Sequence, residues 1–286
     1  MRRITIILLL SVVLLNYNNI FAANTSEIDS LVQNKIALIY QAIESGKVNA
    51  PIDDSYTPLQ VAAMWATSPV VINDLVKAGA DVHHQPEDSW SAVVMAAMDN
   101  PNPEVVKAFI AAGVDINSRD MSGTTLLSYA VSCGNDAIVG TLIELGADVN
   151  CRCPETGRTL LMETSSPEIF ALLLKAGVDV KAQDSNGVNL LMRAAARKNV
   201  DAEELEAIVA AGADVNATDK EGRTALMYAA DRIDFTAAKA VYALRALGAR
   251  VDLRDKNGKT ALDYARANDT LIGSHVYTLL REALTR

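Results

Sequence analysis

LVKAGADV (Leu75–Val82) decides the architecture, because the chain writes it repeatedly: FIAAGVDI (Phe109–Ile116), LIELGADV (Leu142–Val149), LLKAGVDV (Leu173–Val180), IVAAGADV (Ile208–Val215) and LRALGARV (Leu244–Val251). Its glycines, Gly79, Gly113, Gly146, Gly177, Gly212 and Gly248, stand 34, 33, 31, 35 and 36 residues apart. A near-constant period of this length marks one supersecondary unit stacked many times, since no single unit can bury its own apolar face.

The apolar residues ahead of each Gly keep helical spacing. Val105, Val106, Phe109 and Ile110 fall on one stripe of a helix. The Gly then stops the helix, because the position after the C-cap usually needs φ > 0. The Asp-Val-Asn that follows is short and turn-forming.

A second motif opens each unit: YTPLQVAA (Tyr56–Ala63), WSAVVMAA (Trp90–Ala97), TTLLSYAV (Thr124–Val131), RTLLMETS (Arg158–Ser165), VNLLMRAA (Val188–Ala195), RTALMYAA (Arg223–Ala230) and KTALDYAR (Lys259–Arg266). Thr, Ser or Asn in second place is a good N-cap, since its side-chain oxygen accepts from an orphan helix N–H. Pro58 takes the first helical position, where its missing N–H costs nothing. Pairs of Ala let a neighbouring helix approach closely. Gly123, Gly157, Gly187, Gly222 and Gly258 precede five of the caps. The unit is therefore helix, turn, helix, then a hairpin-like loop, and the fold class is an all-α solenoid.

The two motifs, recurring in phase over residues 36–286, resemble the ankyrin-repeat family. That resemblance implies an L-shaped repeat of two antiparallel helices with a projecting finger. Only Thr57-Pro58-Leu59 keeps the family's Thr-Pro-Leu, and Gln60 replaces its His. The fourth repeat is short, with Ser165-Ser166-Pro167 where a full first helix should finish. The fifth and sixth carry extra residues between helices, at Arg197–Asp201 and Asp231–Thr236. The expected layout is a signal peptide over residues 1–22, a linker and capping half-repeat over 23–54, and about six ankyrin repeats over 55–257. A C-terminal capping repeat fills 258–286. Asn34–Glu44 supplies the helix of the half-repeat, and Leu271–Leu284 the last helix.

Arg2-Arg3, then an apolar run from Ile4 to Leu15, then Ile20-Phe21-Ala22 read as a secretory leader cut after Ala22. The run is short for a membrane span. The expected address is an exported one, periplasmic or secreted, with no membrane attachment after cleavage. The formal charge is −9 at pH 7 and becomes −11 without the leader's two arginines. This balance argues against nucleic acid as a partner. The charge is uneven: residues 23–218 hold 12 basic and 26 acidic residues, whereas 219–286 hold 12 basic and 9 acidic.

Three cysteines, Cys133, Cys151 and Cys153, leave an odd thiol in an exported chain. Cys151 and Cys153 either form a small strained ring or stay as thiols. His83-His84, near Glu87 and Asp88, lack the spacing of a metal-ligand set such as His-Glu-x-x-His. A redox or metal protein built on Cys151, Cys153, His83 and His84 is the alternative from a different class. No phosphate-cradling loop or nucleophile elbow occurs. The sequence therefore suggests no enzyme, no catalytic residue, no metal and no cofactor.

The resemblance implies that a protein partner contacts finger tips and the exposed end of the first helix. Transferred position by position, the tips include Glu87, Asp88 and Trp90, then Met121 and Thr124. Arg158, Val188, Lys220, Arg223, Lys256 and Lys259 continue the row. Tyr56, Met64, Trp65 and Met98 join them near the first two repeats. Trp65 and Trp90 either form an exposed anchor there or pack against neighbouring repeats. The expectation is a monomeric, non-enzymatic module holding a protein partner on a concave, finger-lined surface. An alternative use of the same surface is that of a secreted effector engaging host proteins.

Overall fold

The computed structural model describes residues 25–52, 56–86, 90–198, 200–232, 236–267 and 275–284. In it the opening motif becomes an inner helix and the Gly-terminated motif an outer one. After an N-terminal helix α1 (Thr25–Glu44), the pairs are α2 (Pro58–Trp65) with α3 (Val70–Lys77) and α4 (Ala92–Asp99) with α5 (Pro103–Ala111). Then come α6 (Leu126–Cys133) with α7 (Asp136–Glu144) and α8 (Leu160–Glu163) with α9 (Pro167–Lys175). The last three pairs are α10 (Leu190–Ala196) with α11 (Ala202–Ala210), α12 (Ala225–Ala230) with α13 (Ala237–Ala246), and α14 (Ala261–Ala267) with α15 (His275–Leu284). No strand forms among the described residues. The fingers carry isolated antiparallel pairings, Arg119 with Thr125, Arg152 with Thr159 and Gln183 with Asn189.

The chain divides into two compact units, one ending at Ile116 and the other beginning at Asn117. In the first, α1, α2 and α4 pack side by side, and α3 lies beside α5. In the second, α6, α8, α10, α12 and α14 form an inner row, with α7 beside α9 and α11, α13 and α15 in sequence behind it.

Local chemistry sets the helix ends. Thr57, Thr125, Asn189, Thr224 and Thr260 accept a backbone N–H three residues on, as N-caps should. Ser91 and Thr159 stand at the same place without that bond. Each outer helix of the six glycine-ended repeats closes in a Schellman pattern. In α7, Ala147 N–H donates to Leu142 C=O at 2.9 Å and Gly146 N–H to Ile143 C=O at 3.1 Å. Gly146 has φ +91°, and the other five lie between +79° and +104°.

The core lies between the two rows. The inner helices bury their Ala pairs, Ala62-Ala63, Ala96-Ala97, Ala194-Ala195 and Ala229-Ala230. The outer helices bury branched and aromatic residues such as Val105, Val106, Phe109, Ile138, Leu142 and Leu173. Ile110, expected on the same stripe, is half-buried.

Polar groups then tie repeat to repeat. Fingers are joined by backbone bonds: Ser185 N–H to Thr156 C=O, Lys220 N–H to Asn186 C=O and Lys256 N–H to Glu221 C=O, at 2.9 to 3.0 Å. Gly187 sits in this seam with φ +78°, and a Cβ there would lie 2.7 Å from Lys220 N. Only glycine satisfies both the backbone angle and that approach. At the far side, Asn clamps span neighbours. Asn216 accepts from Arg250 N–H at 2.8 Å and donates to Gly248 C=O. Asn49, Asn117 and Asn150 hold the N–H of Asp81, Asp148 and Asp179 in the same way.

One expected boundary shifts. α1 starts at Thr25, so helix occupies residues first assigned to a linker. The fourth repeat is short as read: α8 has four residues and ends before Ser165-Ser166-Pro167. The leader (1–22) and the start of the terminal stretch (271–274) lie outside the described residues.

Candidate functional site: the inner-helix and finger face

The face in question is made by two positions of each repeat. One is the residue just before the N-cap, on the finger: Thr124, Arg158, Val188, Arg223 and Lys259. The other is the fourth residue after the cap, on the inner helix: Tyr129, Glu163, Arg193, Tyr228 and Tyr264. All belong to the second unit.

An aspartate braces each finger. Asp219 accepts the N–H groups of Glu221 and Arg223 on Oδ1, at 2.9 and 2.7 Å, while Tyr228 donates its hydroxyl to Oδ2 at 2.7 Å. Asp120 with Tyr129, and Asp255 with Tyr264, repeat this arrangement. Burial pushes Asp120 and Asp255 upward. The phenol and finger N–H bonds, joined at Asp120 by the Ser122 hydroxyl, outweigh it and hold both below the usual carboxylate range. Burial and the bond to Asp255 push the Tyr264 phenol up to about 12, and Tyr228 is raised for the same reasons beside Asp219. The Tyr228 and Tyr264 rings are therefore held as hydrogen-bond-donating phenols.

On these rings lie cations. The Arg223 guanidinium sits 4.2 Å from the Tyr228 centroid and 4.9 Å from that of Tyr264, and Lys259 Nζ is 5.6 Å from the Tyr264 ring. Arg223 also donates to Asp231 at 3.0 Å. Toward the other end, Arg158 reaches Glu163 at 3.4 Å, and Arg197 pairs with Glu204. The Arg193 guanidinium lies within electrostatic range of Arg158 and Arg197 and of Glu163 and Asp184, but makes no ion pair or side-chain hydrogen bond among the described residues. Burial first, then Arg158, disfavours its charge.

The expected contact residues distribute as follows. Met121 is 90% exposed at its finger tip. Lys220, Lys256 and Lys259 are exposed, while Thr124, Arg158, Val188 and Arg223 are half-buried. Tyr56, Met64, Trp65, Trp90 and Met98 all belong to the first unit and are all half-buried. The tryptophans are thus neither fully packed away nor prominent. Glu87 and Asp88 lie outside the described residues. The inner-helix column of Tyr129, Arg193, Tyr228 and Tyr264 lies beside these residues and is not expected from the repeat motifs.

Cys151 and Cys153 are not joined, and each thiol has its own surroundings. Cys151 is 2% exposed, with its Sγ 3.3 Å from Thr125 Oγ1 and 3.5 Å from Ser128 Oγ. Cys153 stands where the other fingers carry aspartate: its N–H meets Arg158 C=O as that of Asp219 meets Arg223 C=O. A bond from the Thr156 side chain, with the N–H groups of Thr156 and Glu155, lowers its thiol despite burial. His83 and His84 are exposed, and among the described residues no group of three or more metal-ligating side chains comes together. No helix of the described residues is long and apolar enough to cross a membrane.

Comparison with known proteins fits this geometry. The family model for ankyrin repeats (three copies) matches residues 59–153 and again 159–255. The chain belongs to the ankyrin-repeat family. Arrays of ankyrin repeats are protein–protein interaction modules. One similar ankyrin repeat-containing protein, from Treponema pallidum (strain Nichols), is 36% identical over 84 residues, 28% of each chain. The B-cell lymphoma 3 protein homolog of Mus musculus is 30% identical over 181 residues, 59% of this chain and 40% of that protein. The match thus spans well under half the length of either relative. Among solved structures, the Bcl-3 ankyrin repeat domain aligns with a TM-score of 0.67 and 24% identity, over 80% of this chain and all of that one. An ankyrin repeat domain from Acinetobacter baumannii AYE aligns with a TM-score of 0.59 and 29% identity, over 67% and 96%. The His expected after Thr57-Pro58-Leu59 is replaced by Gln60 at the start of α2, which does two jobs. Its Oε1 accepts Thr57 N–H at 2.9 Å, closing a capping box, and its Nε2 donates to Trp90 C=O of the next finger at 2.9 Å.

Proposed function

We propose that this ankyrin-repeat protein is a non-enzymatic recognition module, acting as a monomer in an exported compartment. It holds a protein partner on the inner-helix and finger face of its second unit. The observation that carries the reading is preorganisation. Tyr129, Tyr228 and Tyr264 are each pinned to a finger aspartate, and the fingers are stitched to one another through their backbones. A surface already ordered loses little conformational freedom when a partner docks. Aromatic rings and arginines are also the residue types that dominate interface energetics.

Export is supported by the leader-like start, Arg2-Arg3 followed by the apolar run Ile4–Leu15. The processed protein is expected to begin at Ala23, and N-terminal sequencing checks this. The surface is tested by affinity capture from the native compartment with paired variants. Arg223→Glu with Lys259→Glu should abolish capture, whereas Glu206→Lys with Lys239→Glu on the outer helices should leave it intact. Equal capture by both would refute the assignment.

A further inference from the structure

The chain is acidic overall, yet its candidate face carries a line of cations. From Arg158 the line passes to Arg193, then through Asp184 to Tyr228, Arg223, Tyr264 and Lys259, each within electrostatic or ring contact of the next. Two features of this line give the fold no stability. Arg193 is half-buried within electrostatic range of two other guanidiniums and makes no ion pair among the described residues. The Nε atoms of Arg158 and Arg223 are shielded from solvent and have no hydrogen-bond partner among the described residues. Desolvated like charges with unused donors are costly to keep in a folded chain. Carboxylates lie along the same line, but their oxygens are largely engaged: Glu163 takes one Arg158 nitrogen and Asp231 one Arg223 nitrogen, while Asp184, Asp219 and Asp255 accept finger N–H groups, the last two also the tyrosine hydroxyls.

Neighbouring packed helices lie about 8–10 Å apart. A polyproline-type extended chain has three residues per turn and rises about 3.1 Å per residue, so every third side chain points the same way at about 9 Å intervals. Arg158, Arg223 and Lys259 on the fingers and Arg193 on an inner helix supply one cationic group per repeat, a count that suits every third residue of such a chain. We infer that the partner of this face is an extended acidic peptide segment, with Asp or Glu at every third position, whose carboxylates meet Arg158, Arg193, Arg223 and Lys259 in turn. The tyrosine rings between them contact the segment's intervening residues. Nucleic acid fits less well, because Glu163, Asp184 and Asp231 interrupt the line and the whole chain repels polyanions of high charge density. This inference rests on the recognition surface proposed above and specifies its ligand.

Fluorescence anisotropy with the processed full chain tests it. The probe is a labelled twelve-residue peptide of four Glu-Pro-Ser repeats. Controls replace Glu by Gln, or gather the four Glu at one end, or substitute a single-stranded oligonucleotide. The spaced Glu peptide should bind at least tenfold more tightly than every control and weaken as salt rises. Arg193→Gln and Lys259→Gln should each weaken it at least fivefold, and the melting temperature of Arg193→Gln should stay level or rise. Binding equal to the Gln, clustered or oligonucleotide control would overturn the inference, as would affinity unchanged in both variants. If the peptide fails while Arg223→Glu with Lys259→Glu still abolishes capture of the native partner, the surface stands and only its acidic ligand is lost.

Discussion

Cys153 shows at single-residue scale how a repeat exposes its exceptions. Asp120, Asp184, Asp219 and Asp255 fill the same finger position with a carboxylate that accepts N–H groups two and four residues on. The fourth finger is one residue longer and places a thiol there, so the loop's donors face sulfur and favour the thiolate. The sequence conceals this, because Cys153 aligns with the aspartates only after the extra residue is allowed for. Alkylation followed by mass spectrometry should label Cys153 with a midpoint below the ordinary thiol value of about 8.5. Cys151, at 2% exposure, should stay unmodified until the protein unfolds. Labelling of Cys151 before Cys153 would contradict this account. Arg232 is a second exception: just past the end of α12, its side chain is buried and donates to Ala195 C=O at 3.3 Å and to Thr236.

Helices and fingers were largely legible, because their boundaries are local. Cap residues, Pro58 and the left-handed glycines act within a few positions of themselves, so most element ends follow from short motifs. Contacts between repeats are different, since their partners lie some thirty residues away. Gln60 with Trp90 and Asn216 with Arg250 carry no signal in a short window. The inner-helix column escapes such a reading for a related reason: Ala-rich helices read as core, and the fourth position after the cap is apolar in the first two repeats (Val61, Met95) before it turns to Tyr, Glu and Arg in the last five. The Asn clamps make a two-way prediction. Asn216→Ala should lower unfolding free energy by about 1–2 kcal/mol, through loss of bonds to Gly248 and Arg250. Lys181 occupies the corresponding place one repeat earlier, and Lys181→Asn should add roughly 1 kcal/mol. Denaturant titration reads both. The finger aspartates predict an acid limb. Because folding lowers the values of Asp120 and Asp255, their contribution is present above the unfolded carboxylate's value of about 3.9 and is lost as pH falls through the depressed one. Melting curves below about pH 4 should fall steeply for the parent and less so for Asp120→Asn.

For the whole molecule, charge is the informative quantity. A formal −9 keeps the chain away from polyanions, while 12 basic against 9 acidic residues from Asp219 onward concentrate cations in the last repeats. Composition reports the imbalance but not its location. The structure assigns Arg223 and Lys259 to tyrosine faces and leaves other cations, such as Lys239, on the outer helices. The central claim is that recognition belongs to the inner-helix and finger side of the second unit. Site-specific photo-crosslinking in the native host tests it most directly, with a photoreactive residue placed in turn at Val188, Lys259, Glu206 and Lys239. Adducts to a partner protein from positions 188 and 259, and none from 206 and 239, are the predicted result. Adducts arising only from the outer-helix positions would contradict the account.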